Sequence, residues 1–502
     1  MDAVAYASHA MKLALLFRDF PTRSHFDPEE EACGITCDSR EVSNGFVFVC
    51  IKGNKTDGHR YISQAHAKGA IAFVVEDPDK VPGGLSYLQV DSAKEAYSLL
   101  CQRWTHEVWK KLQLFAVTGT TGKTTIAYIL HQTLMNLGIK SALIGTAGYY
   151  LGNQRLDITI KGPVTTPEPK ALHTLFQDFF AEDCKAVSME ASSFGLSEKR
   201  LHGMQFDAAI LSNLAFNHHI GFHGGWMDYV KAKSSLFAML KQDGLAILNA
   251  DEKHLDLFIN PKQKTILYGF SDTAHLRISD LAESLDGISF SMHYHDTTYR
   301  MFSSLQGAFH AWNLAAVFAL GLGMKYDPQE LLNAMEKIKA IPGRWDLLLK
   351  EAPFTVVIDK ANTPIAIQAL SSLIKNKRYV RRIGVFGNVG GGDYAERVIL
   401  AKMLGELFDQ LILTLDDPED EDIWNNFNEF LSGMTSEIRQ KVRIVLSRKE
   451  AMEKALDEAR SGDLLLILGR GNQREFLIRG RSEVFDDVEE MKALLKHRGL
   501  KQ

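Results

Sequence analysis

Residues 115–130 read FAVTGTTGKTTIAYIL. An apolar run ends in a turn rich in glycine and threonine, and an apolar pattern of helical spacing resumes at once after Lys123. The first N–H groups of a helix lack intrahelical acceptors, so a strand, a glycine turn and a helix in this order make a cradle for an anion. Gly119 and Gly122 let the backbone approach phosphate oxygens, Lys123 places a point charge at the outer phosphates, and the Thr124 hydroxyl suits Mg²⁺. Val117 stands where the first glycine of the usual pattern falls, so the match is partial. A strand of this kind needs a parallel sheet covered by helices around it.

The rest of the chain carries that pattern. Residues 1–110 contain short β-like runs (GFVFVCI, AIAFVVE, LSYLQV) separated by turn-rich segments, a small α/β unit with two helices. From 111 to 340, buried strand candidates (LQLFAVTG, KAVSMEAS, FDAAILSNL, GLAILNAD) alternate with helical patterns. From 341 to 502 the alternation restarts with FTVVIDKA, RIGVFGNV, QLILTLDDP, VRIVLS and DLLLILGRG, which predicts a separate doubly wound, Rossmann-like domain. The expected fold is thus α/β in three domains, with a central P-loop ATPase-like parallel sheet.

Composition narrows the function class. The 502 residues are 45% hydrophobic and 24% charged, enough for several cores, and a net charge of −5 without long Lys/Arg blocks argues against nucleic acid. Five cysteines are sparse and odd in number, which points to a reducing compartment; Cys33 and Cys37 have no second pair with which to complete a metal site. The N-terminal segment has no basic leader, and no run reaches the length of a membrane span, so a cytoplasmic address is expected.

A magnesium-bound phosphate needs further oxygen ligands. Glu190 closes the apolar run of SMEASS, and Asn217, His218, His219 and His223 follow another strand candidate in SNLAFNHHIGFHG. Spacing alone leaves their role undecided, because a strand-end acid also serves as a cap and a histidine-rich loop is more often a hydrogen-bonded turn.

Together with the phosphate turn these segments carry a recognisable order. CDSREVSNGFVFVCIKGNKTDGH, VTGTTGKTT, TTPEP, MEASSFGLSEKRLHGMQFDAAILSNL, HGGWMDYVKAKSSLF, QGAFHAWNLAAV and IPGRWDLLL follow one another as they do in the Mur ligase family. The chain resembles that family almost end to end, most closely its members that add the third residue to the peptidoglycan stem peptide. The resemblance implies that Ser39, Asn54, Lys55 and Thr56 bind a UDP-sugar, and that Thr165, Thr166, Ser192 and Arg200 hold a muramoyl dipeptide. It implies that ATP sits on Gly119, Thr120, Thr121, Gly122, Lys123, Thr124 and Thr125, with Asn313 near the adenine and Arg344 also on the nucleotide. One Mg²⁺ would lie on Thr124 and Glu190, and a second on His218 and a carbamoylated Lys233. Lys123, Glu190, His218 and Lys233 would then be the catalytic set. The distal carboxylate of UDP-N-acetylmuramoyl-L-alanyl-D-glutamate would attack the γ-phosphate, and a free amino acid would take the resulting acyl group. No nucleic-acid or membrane partner is implied, and a monomer is expected.

The C-terminal motifs depart from the family pattern. The usual Asp-Tyr-Ala-His-Thr-Pro-Asp reads DKANTPI, with Lys360, Asn362 and Ile365 as the changes, and in GGGDYAERV the nearest basic candidate for a substrate contact is Arg397. Asn217 stands where a carboxylate is usual, and Glu198 where the family often has Gln. The amino-acid pocket, commonly Asp-Asn-Pro-Arg and Gly-Lys-Gly-His-Glu in enzymes for meso-diaminopimelate, reads Asp416, Asp417, Pro418, Glu419 and GRGNQ from Gly469 to Gln473. Glu419 would repel a distal carboxylate, so a lysine-like amino acid suits the pocket, its ammonium pairing with Glu419 or Asp417. A solvated acidic turn is the plainer reading of DDPEDED. Two other functions remain open: a superfamily ligase acting on another carboxylate, as folylpolyglutamate or cyanophycin synthetases do, and a catalytically weakened paralogue with a binding or regulatory role. The N-terminal DSREV…NKTDGH opposes the first; retained Lys123, Thr124, Glu190, His218 and Lys233 oppose the second.

Overall fold

The structure, a computed structural model, describes residues 10–20, 24–53, 56–156, 158, 165–215, 222–284, 286–350, 353–375, 377–390, 394–418, 421–478 and 481–500. It is a three-domain α/β protein built around three large sheets. The N-terminal sheet has five strands, in the order Ser24–His25, Ser86–Gln89, Ala70–Val75, Phe46–Val49, Gly34–Thr36, all parallel apart from the first.

The central sheet has eleven strands. Its parallel middle runs Ser141–Gly145, Ala186–Glu190, Gln113–Thr118, Phe206–Leu211, Leu240–Asn249, Lys264–Gly269. Gln113–Thr118 lies near the centre, and five of its six residues are buried, as a strand covered by helices on both faces requires. Helices Lys123–Asn136 and His310–Gly323 pack on one face, Pro169–Ala181 on the other. The sheet then continues as an antiparallel run, Leu276–Ser284, Gly287–Tyr294 and Thr297–Ser303, which the expected alternation of strand and helix did not contain. Its alternating polar residues, as in LRISDLAES, mark strands with one wet face.

The C-terminal sheet has six strands, ordered Asp346–Leu349, Thr355–Asp359, Leu464–Leu468, Arg382–Asn388, Gln410–Leu415, Val442–Ile444. Only the first is antiparallel. Asp359 and Phe386 both register with Leu468, and Asn388 with Leu415, so the turns that follow these strands gather at one edge. That edge is where doubly wound sheets bind ligands. Among the described residues no helix is long and apolar enough to cross a membrane.

Candidate active site

The phosphate turn is held by the end of the adjacent strand. Gly119 and Gly122 have φ of +144° and +83°, conformations that favour glycine. A Cβ on Gly119 would stand 1.9 Å from Ser212 Oγ, and one on Gly122 3.0 Å from Asn313 Oδ1, which puts Asn313 directly against the turn. The Thr120 N–H donates to Asn213 O (2.8 Å), the Thr121 N–H to Asn213 Oδ1 (3.0 Å), and Ser212 Oγ to Thr121 O (2.6 Å). Thr120 Oγ1 accepts from the Ala215 N–H at 2.8 Å and lies 2.8 Å from the Tyr229 hydroxyl. Thr124 and Thr125 open the helix and are buried. No motif in the sequence marks Ser212, Asn213 and Tyr229 as site residues; their one signal is their place in the run just past the apolar strand FDAAIL and in the segment of Lys233.

Four basic side chains, Lys123, Lys233, Arg344 and Lys360, meet here, and among the described residues none of them makes an ion pair with a carboxylate. Lys123 Nζ donates to the carbonyls of Gly119 (2.9 Å) and Thr120 (3.0 Å), and Lys233 Nζ to Gly119 O (2.6 Å). Lys233 is only 1% exposed and lies over the Tyr229 ring, 4.6 Å from its centroid. Burial, then repulsion from Lys123, drives its pKa well below the ordinary lysine value, towards the neutral amine. Burial lowers Lys123 too; Glu190 opposes that and Arg344 adds to it. Arg344 and Lys360 arrive from the C-terminal region, and the side chain of neither makes a hydrogen bond or ion pair with a described residue. Such a set of charges is stable only with water or an anion to receive it.

Glu190 joins this turn to the next group of expected residues. It is 1% exposed at the end of its strand, and its carboxylate accepts the Thr146 N–H at 2.6 Å. Its backbone carbonyl accepts Thr166 Oγ1 (2.8 Å), and Thr166 Oγ1 accepts the Ser192 N–H (2.9 Å). Arg200 donates to Thr166 O at 2.6 Å, and Thr165 Oγ1 lies 2.9 Å from Thr146 Oγ1. The structure therefore brings Thr165, Thr166, Ser192 and Arg200 together beside Glu190. Glu198 is paired with Lys94 at 2.8 Å, a bridge from helix Ala93–Trp104 to the central region.

In the N-terminal sheet region, Ser39 is buried, with its hydroxyl donating to Gln64 Oε1 (3.2 Å), and Thr56 is exposed in the turn where its carbonyl accepts the Gly53 N–H (2.9 Å). Asn54, Lys55, Asn217, His218, His219 and Glu419 lie outside the described residues. Among the described residues no group of three His, Cys, Asp or Glu side chains is arranged to hold a metal. Thr124 and the buried carboxylate of Glu190 offer hard oxygen donors only, which fits Mg²⁺, an ion that fills its shell with phosphate and water.

The C-terminal acids and bases behave differently. Arg470 is fully buried, with Nη1 2.8 Å from Asp416 Oδ1 and 3.0 Å from Asp417 Oδ1. Asp416 and Asp417 thus have a cation from their own chain, and an incoming ammonium would compete with it. Gly469, at φ +107°, passes so close that a Cβ would stand 3.0 Å from Asp416 Oδ2. Arg397 is buried too, 2.6 Å from both Glu421 and Glu429, so its guanidinium already has two carboxylate partners within its own chain. The Gln473 N–H donates to Arg470 O at 3.2 Å, a turn that also presents Asn472 to the central region: Asn472 Nδ2 donates to Ala147 O (2.6 Å), and Arg155 donates to Asn472 O (3.2 Å).

Comparison with known proteins agrees along the chain. Residues 31–101 match the Mur ligase family catalytic domain, 117–321 the Mur ligase middle domain, and 343–471 the Mur ligase glutamate ligase domain. UDP-N-acetylmuramoyl-L-alanyl-D-glutamate--2,6-diaminopimelate ligase of Parabacteroides distasonis is 31% identical over 92% of this chain and 94% of its own. The chain belongs to the Mur ligase family. The enzyme of the same name from Geobacter metallireducens is 32% identical over 92% of this chain and 94% of its own. A solved structure of a ligase with that name superposes with a TM-score of 0.66 at 26% identity, covering 98% of this chain and all of the other.

Proposed function

We propose that this Mur ligase is an ATP-dependent amide ligase that joins an amino acid to the D-glutamate carboxylate of UDP-N-acetylmuramoyl-L-alanyl-D-glutamate, the third-residue step of peptidoglycan precursor synthesis. The observation that carries the reading is the meeting at Glu190 of a cation-rich phosphate turn and the Thr166–Ser192–Arg200 network. A phosphate donor on one side and a carboxylate acceptor on the other are what acyl-phosphate formation needs. Lys123 and Arg344 would bind the transferring phosphoryl group, and the turn amides would hold the other phosphates. Asn313 would meet the nucleotide, and Ser39 with Asn54, Lys55 and Thr56 the UDP moiety. Mg²⁺ on Thr124 and Glu190 would supply charge neutralisation of the triphosphate. Lys233, desolvated and next to Lys123, is suited to carbamoylation, because a neutral amine is the form that adds CO₂ and the carbamate would turn repulsion from Lys123 into attraction. With His218 it would then offer a second metal position.

The three regions, 1–110, 111–340 and 341–502, would take the UDP-sugar, ATP and the amino acid respectively, in a cytoplasmic monomer. Glu419 favours an amino acid without a distal carboxylate, whereas the relatives carry diaminopimelate in their names. The deciding experiment measures ADP and phosphate release with the UDP-muramoyl dipeptide and lysine, ornithine or meso-diaminopimelate. Release that depends on one amino acid, with a tripeptide product of matching mass, names the pocket. Silence across the panel despite ATP binding would favour the non-catalytic paralogue.

A further inference from the structure

Lys360 replaces the tyrosine of the family motif, and its main chain is clamped on both sides. Its N–H donates to Gly343 O at 3.0 Å, in the loop that carries Arg344. Gly471 passes on the other side, where a Cβ would meet Lys360 Cβ at 2.9 Å and Gly343 O at 2.7 Å. Just before it, Asp359 grips the two flanking segments, accepting from the Trp345 N–H (2.6 Å) and the Ala361 N–H (2.7 Å). The main chain of the turn is thereby held to both flanking segments, and Gly471 beside it is followed by Asn472, which reaches the central region at Ala147.

The lysine side chain itself makes no hydrogen bond or ion pair with a described residue. Its charge feels Arg344 and Arg470 on the repulsive side and Glu190 and Asp416 on the attractive side, so both the central carboxylate and the C-terminal ion pair act on it. Burial, then Arg344, pushes its pKa down to about 7, with Glu190 and Asp416 resisting. A half-buried cation next to an unpaired arginine is a poor structural element, since burial without a partner costs stability. It is a good element for an anion that arrives with the substrate.

We propose that Lys360 is a further catalytic residue, contacting the outermost phosphoryl group of ATP from the C-terminal side as that group passes to the carboxylate. The proposal rests on the ATP-ligase reading. It gives the C-terminal sheet a direct hold on the group being transferred, in place of the aromatic ring that the family motif has there.

The test is the binding of ATP, ADP and AMP to the full-length protein and to its Lys360→Met, Lys360→Tyr and Lys360→Arg variants, by calorimetry, with thermal unfolding recorded for each. Lys360→Met and Lys360→Tyr should weaken ATP by about ten- to a hundredfold, the range for a hydrogen bond to a charged group, and leave ADP and AMP unchanged. Lys360→Arg should restore most of the ATP affinity. Without nucleotide, Lys360→Met should unfold at the same or a higher temperature, as the loss of an unpaired cation requires. Equal loss for ATP, ADP and AMP, or a lowered unfolding temperature with unchanged ATP affinity, would assign Lys360 a structural role and overturn the proposal. ATP affinity unchanged in all variants overturns it too. If the unaltered protein binds no ATP, the ligase reading fails and the proposal with it, an outcome visible before any variant is made.

Discussion

The central and C-terminal regions each bring charged side chains to the carboxyl edge of a parallel sheet, but they treat the charges in opposite ways. In the central region, Lys123 and Lys233 rest on backbone carbonyls, and among the described residues no carboxylate neutralises them by direct contact. In the C-terminal region Arg470 closes on Asp416 and Asp417, Arg448 on Asp487, and Arg397 on Glu421 and Glu429. The first arrangement leaves positive charge for a polyanion to neutralise; the second neutralises itself. A basic residue in a motif is therefore weak evidence of ligand binding until its partner is known. Arg344 and Lys360, although C-terminal, share with the central lysines the lack of an ion pair among the described residues.

The largest effect should come from breaking a closed pair. Arg448 donates to both oxygens of Asp487 (2.7 and 2.6 Å), and Asp487 is fully buried. Arg448→Met strands that carboxylate and should cost about 3–5 kcal/mol in urea unfolding. An unchanged midpoint would mean that the C-terminal pairs are not structural.

Lys123→Ala is the converse change. It should lower turnover by about 10²- to 10³-fold, as loss of a transition-state contact does, while the urea midpoint stays the same or rises. Stability lost in step with turnover would erase the contrast between the two regions. Lys233→Ala sharpens it further: turnover should collapse by about two orders of magnitude with UDP-muramoyl dipeptide binding retained, and unchanged turnover would rule out a carbamate at that position.

The smallest effect concerns pH. His131, His173 and His310 all sit in the central region and are held neutral by burial, with pKa values pushed down to about 4, about 3 and about 3. An unfolded histidine takes up a proton near 6.5, and the folded one does not until far lower. Stability is therefore full above pH 6.5 and falls as pH drops towards 4, at up to about 1.4 kcal/mol per pH unit for each histidine. Both ring nitrogens of His173 are buried without a hydrogen-bond partner. His173→Leu should flatten the fall of the thermal midpoint between pH 6.5 and 4, and an unaltered slope would show that other groups carry it.

Much of the architecture is legible in the amino-acid sequence. Each quoted strand run in all three regions became a strand, because runs such as FAVT and LLLIL are too apolar for anything but a buried element and glycine turns bound them. The antiparallel run 276–303 is not legible in this way, since its polar alternation weakens the signal that a continuously apolar strand gives. In the site, the phosphate turn was readable because its chemistry lies in backbone conformation, and glycines at 119 and 122 announce it. Asp416, Asp417 and Arg397 were legible as charges but not as partners. Arg470 lies 54 residues from Asp416, and no local pattern records that they touch.

The amino-acid sequence by itself determined the buried parallel strands, the phosphate turn and the family to which the chain belongs, through the local patterning of apolar residues and glycines and the order of its motifs. The tertiary structure decided which charges are available. Only folding brings Arg470 onto Asp416, sets Lys233 beside Lys123, and places Lys360 where Glu190 acts on its charge. Electrostatic free energy depends on distance and burial, and neither is a property of position along the chain.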